Sequence, residues 1–178
     1  MVGFHPWSVL MTISMHSASV PVLLKVLGNL LTWLDKAQAH ADARKFDSKN
    51  YLGMRLAPDM LPMSRQVQIT SDTAKACVAR LTGVEIPAWP DDEASLDDLR
   101  ARVNKTMDFV RAADAAAFEG ADAREVVVPR RTSEPLRFDG ETFLKHYALP
   151  NLFFHATMTY ALLRHAGVEL GKADFLGR

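Results

Sequence analysis

The residues best placed for chemistry lie in one mostly apolar run near the end of the chain. Asn151, His155 and Thr159 recur at i, i+4 and i+8, which puts them roughly on one face of a helix. An earlier helical stretch offers Gln66 beside Val67, with Gln68 and Asp72 on a neighbouring stripe. Helical bundles build their sites from side chains on facing helices, so these two stretches together could form one. An imidazole there can be a metal ligand, a general base or a hydrogen-bonded cleft residue.

A zinc- or nickel-type site needs three nitrogen or carboxylate ligands and an open position. A His-x3-His pair would supply two of them, but the positions four residues on either side of His155 are Asn151 and Thr159. His165 is turned about 80° from His155 and His146 about 180°, at 100° per residue. A divalent metal therefore has His155 as its one candidate ligand on this helix, and the ligand set is incomplete.

Two functional readings follow. In the first, Gln66, His155 and Thr159 line a polar cleft that binds a small ligand or a partner, the metal ligand set being incomplete. In the second, His155 with a carboxylate such as Asp72 holds a metal or acts as general base, and water or a thiol attacks. A third reading, a structural or dimerisation module, calls for a large apolar face on the first or last helix and no cleft.

Composition narrows the setting. The chain has 178 residues, enough for one domain with a sizeable core. Its 21 basic and 21 acidic residues cancel, so no overall field draws in nucleic acid or an anionic membrane. The single cysteine, Cys77, cannot form an internal disulfide, which fits a cytoplasmic protein. Cys77 falls on an apolar helical stripe and reads as a buried thiol. The most apolar segment, 20–34, is interrupted by Lys25 and Asn29 and reads as too short to span a membrane. Residues 1–12 read as a disordered extension outside a single domain spanning 13–178.

Helical periodicity predicts four long helices. Ser14 or Ser17 caps the first, which runs to about Ala41; a polar linker, 42–50, follows and leaves His40 solvated. The second runs from about Asp59 to Leu81, with an inner face of Met63, Val67, Thr70, Ala74, Cys77 and Leu81. A loop, 84–93, is held to the bundle by Trp89. Ser95 caps the third helix, which runs to about Phe118. Two short extended pieces around RRTSE read as a β-hairpin, and Asp139 caps a last helix, 140–166, kinked at Pro150. A short charged tail follows Gly167.

The blocks ALPNLFFHATMTYALLRHAGVELGKADFLG, LAPDMLPMSRQVQITSDTAK and SASVPVLLKVLGNLLTWLDKA resemble an uncharacterised bacterial domain-of-unknown-function family. That family is grouped with the DinB/YfiT-like four-helix bundles, and the resemblance covers nearly the whole chain. It implies an all-α, up-down-down-up four-helix bundle with a small β-hairpin before the last helix, often a homodimer. Some members of the superfamily are metal-dependent and transfer or use low-molecular-weight thiols. Their site is typically one histidine on the second helix and a His-x3-His pair on the fourth. Here His155 can take one of those positions, Thr159 stands where its partner would be, and the second helix offers Gln66, Gln68 or Asp72 instead of histidine.

Overall fold

The structure, a computed structural model, describes residues 13–130 and 132–178. The expected extension at 1–12 lies outside the described residues. The long helices are α1 (Met15–Arg44), α2 (Met63–Thr82), α3 (Leu96–Arg111) and α5 (Leu149–His165). A short α4 (Gly140–Thr142) and a π-helical stretch, Phe143–Ala148, lead directly into α5, and α6 (Lys172–Leu176) ends the chain. Strands β1 (Glu125–Val128) and β2 (Leu136–Asp139) form the antiparallel hairpin, with Val126 opposite Phe138.

Cross-helix pairs fix the directions of the four helices. Asp72 meets Arg102, and Lys75 and Lys105 share the ring of Trp89, so α2 and α3 advance together and are parallel. Gln66 meets His155 while Thr73 meets Asn151, so α2 and α5 are antiparallel. Trp33 packs on Tyr160, and Val26 lies by Phe153, so α1 and α5 are parallel. The topology is therefore up-down-down-up. The parallel α2–α3 pair requires the long return loop that carries Trp89.

The apolar stripes meet at the centre of the bundle. Leu23, Leu27, Leu30 and Leu34 of α1 are fully buried, as are Val67 and Leu81 of α2. Each such side chain contributes about 1.5–3 kcal/mol relative to exposure. α1 is 30 residues long, and by length and composition alone it could cross a membrane, so the length argument from the sequence does not hold. Its apolar side is instead the core face of the bundle, with Trp33 and Ala37 buried.

Several boundaries differ from the sequence reading for local reasons. Ser14 caps α1 in a reciprocal capping box with Ser17, and the helix runs on to Arg44, where Lys45 adopts φ 59°. Pro21 sits in the second turn of α1, and the helix passes through it. α2 begins at Met63, because Pro62 biases Leu61 away from helical backbone. α3 stops at Arg111, and a separate 3-10 turn, Ala115–Phe118, is capped by Asp114. His40 is half-buried, its Nδ1 2.6 Å from the hydroxyl of buried Tyr51 on the turn Ser48–Tyr51. The charged tail folds back: Phe175 stacks on Trp33 at 5.6 Å, and the Trp33 indole donates to the Asp174 carbonyl at 3.2 Å.

No break occurs at Pro150. Proline lacks an N–H and its ring crowds the carbonyl four residues back. The preceding turn widens, and the Leu149 N–H donates to the Leu144 carbonyl in an i→i+5 bond.

Candidate functional site

Gln66 and His155 face one another across the α2–α5 seam. Gln66 is buried in the first turns of α2, and its Nε2 donates to the Leu61 carbonyl at 2.9 Å. That bond turns Oε1, an acceptor only, toward His155 Nδ1 at 2.7 Å. The proton of the neutral ring is therefore on Nδ1, and Nε2 keeps its lone pair. Nε2 has no hydrogen-bond partner among the described residues. His155 is half-buried, and burial lowers its pKa below the ordinary 6.5. The edge-on ring of Phe154 stands beside it at 5.1 Å.

The other candidates divide between different surroundings. The Asn151 amide donates to the Thr73 hydroxyl at 2.8 Å, some two turns along α2 from Gln66. Thr159 is fully buried and its hydroxyl donates to the His155 carbonyl at 3.2 Å, so it supports α5 from within and does not line the cleft. Asp72 does not reach toward His155. Its Oδ1 takes Arg102 and Lys75, each at 2.9 Å. Six residues separate it from Gln66, about 9 Å along the helix and about 240° around it. Gln68 is buried, accepts from Arg65 at 2.6 Å and donates to Glu93 at 2.7 Å.

The surroundings of His155 do not fit the metal that the superfamily suggests. Among the described residues no three histidine, cysteine, aspartate or glutamate side chains are grouped so that they could hold a metal ion. The neighbour on α2 is an amide whose oxygen already faces Nδ1, and the position one turn on is a hydroxyl turned to the backbone. Neither is a good ligand for zinc or nickel.

Sequence reasoning missed the polar centre under the return loop. Arg102 is buried on α3, where its guanidinium meets Glu93 at 2.8 Å and Asp72 and Asp91 at 2.9 Å, and donates to the Pro90 carbonyl. Burial opposes its charge, but the Glu93 bond and the nearby carboxylates outweigh it and hold its pKa above the usual value. The ammonium groups of Lys75 and Lys105 lie over the Trp89 ring at 4.1 and 4.6 Å. Trp89 thus fastens the loop through two cations and not by entering the apolar core. The available signal was an arginine at 102 inside the apolar stripe Leu99, Val103, Thr106, opposite an acidic loop. Cys77 is buried, and burial pushes its thiol up to about 12.

Helix directions, hairpin and seam together define a DinB-like four-helix bundle. The crystal structure of a DinB family member protein from Shewanella denitrificans is similar to this chain, with 40% identity over 92% of each chain and a TM-score of 0.85. A family model described as Domain of unknown function (DUF1993) matches residues 15–176, and the chain belongs to that family. No curated protein matches the chain.

Proposed function

We propose that this protein binds a small organic molecule at the α2–α5 seam, with His155 Nε2 accepting a hydrogen bond from it, where the superfamily's metal site has degenerated. The observation that supports this most is the Gln66 amide, oriented by Leu61 so that it fixes the His155 tautomer. A neutral imidazole with an open Nε2 recognises a hydroxyl, amide or ammonium donor. The alternative, a metal-dependent hydrolase or thiol transferase working through His155, asks for ligands that Gln66, Asp72 and Thr159 do not supply. A cytoplasmic homodimer accompanies the reading as a proposal; adjacent Phe153 and Phe154, 39% and 52% exposed, are the apolar surface that supports the dimer.

The test is a fragment screen by NMR with 15N-labelled histidine. Donor-bearing fragments should shift the His155 Nε2 resonance saturably, and His155→Ala should abolish their binding. A screen in which no fragment moves that resonance, or in which His155→Ala binds equally well, overturns the reading.

A further inference from the structure

Beyond Asn151 the α2–α5 seam opens into a groove of about 230 Å³, away from His155. Arg80 stands in it, half-buried, without a carboxylate or carbonyl partner among the described residues. This contrasts with Arg100 and Arg102, which are each paired with at least two carboxylates. A guanidinium out of bulk water and without an acceptor is costly unless a ligand supplies one. Burial accordingly lowers the Arg80 pKa.

The groove places further donors near this cation. Tyr147 lines it, and its hydroxyl has no partner among the described residues. Thr73 receives the Asn151 amide on its oxygen, so its own O–H is left to donate into the groove. The Phe143 ring lies 5.8 Å from the Arg80 guanidinium carbon and holds the side chain in place. Phe143 and Tyr147 also stack on one another, 5.9 Å apart, in the π-helical stretch. Such wide turns occur frequently at functional sites. Ala76, Val128 and Ala148 make the rest of the wall apolar, apart from Asp72, whose carboxylate is already held by Arg102 and Lys75.

We propose that this groove binds a small organic monocarboxylate, its two oxygens on Arg80 and its aromatic or branched body against Phe143, Ala76 and Val128. A planar guanidinium matches a carboxylate with two parallel bonds. A phosphate would set its additional oxygens against the apolar wall. The groove begins at Asp72, about 9 Å along α2 from Gln66, and needs nothing from His155 Nε2, so the two sites are independent.

Benzoate is a suitable probe, titrated into the full chain and followed by NMR at the Asn151 side-chain amide and the Tyr147 ring. Saturable shifts are expected. Arg80→Gln, which removes the charge and the bidentate pair, should weaken binding by about tenfold or more. Tyr147→Phe, which keeps the ring and the stack, should weaken it less. His155→Ala should leave benzoate binding unchanged, which separates this site from the one at His155. Absence of saturable shifts, equal affinity in Arg80→Gln, or tighter binding of inorganic phosphate than of benzoate would overturn the proposal.

Discussion

The Gln66 side-chain oxygen lies 2.7 Å from His155 Nδ1 while the Gln66 nitrogen donates to Leu61, so one amide decides which imidazole nitrogen is open. This relationship joins the start of α2 to the middle of α5. It also means that Gln66 occupies the place from which a second metal ligand would have to come.

The lowered His155 pKa makes stability depend on pH. The folded protein holds fewer protons at His155 than the unfolded chain below about pH 6.5. Its contribution is fully present above that pH and is lost as pH falls through the lower folded pKa. His155→Gln keeps an amide donor for Gln66 and removes the titration. Thermal melts from about pH 7 to about pH 5 should show a smaller fall for the variant. Identical slopes would mean that the imidazole titrates alike in both states.

Arg102 is the cation around which the return loop is ordered. Its side chain is 3% exposed, and removing it leaves Glu93, Asp72 and Asp91 facing one another. Arg102→Ala should cost about 3–5 kcal/mol in urea unfolding, the range for breaking a buried pair from one side. A loss below about 1 kcal/mol would place the network among surface ion pairs of little consequence.

Cys77 should be inert in the folded protein. Its pKa of about 12 leaves almost no thiolate at neutral pH, and the side chain is fully buried. Iodoacetamide near pH 8 should label it only after unfolding in denaturant. Labelling of the native protein at the rate of a free thiol would show that α2 opens readily.

Phe154→Ser tests the proposed dimer without touching the core. Sedimentation velocity should show a dimer for the natural chain and a shift toward monomer for the variant. A natural chain that sediments as monomer at all concentrations contradicts the proposal.

Much of the bundle was legible because its inner stripes are uninterrupted. Met63, Val67, Thr70, Ala74, Cys77 and Leu81 are all buried, as read from their spacing, and the hairpin lies where its extended pieces fall. Helix ends were less legible. They depend on backbone events such as the start imposed by Pro62 and the 3-10 turn after Asp114. The tail reads only as charged, through Glu169, Lys172, Asp174 and Arg178, because the partner of Phe175, Trp33, is far away in sequence. In the candidate site, the Gln66–His155 pair was foreseeable as one of several partners. The turning of Asp72 onto Arg102 depends on α3, which periodicity in α2 and α5 does not contain, and Thr159 turns its hydroxyl back to the His155 carbonyl of its own helix. Arg80 left no signal, since its lack of a partner is visible only in three dimensions.

Calorimetric titration of the purified, metal-stripped protein with zinc and with nickel tests the central claim most directly. The account predicts no tight stoichiometric binding of either ion, and the same trace for His155→Ala. Tight binding of one ion per chain, lost in His155→Ala, would contradict it.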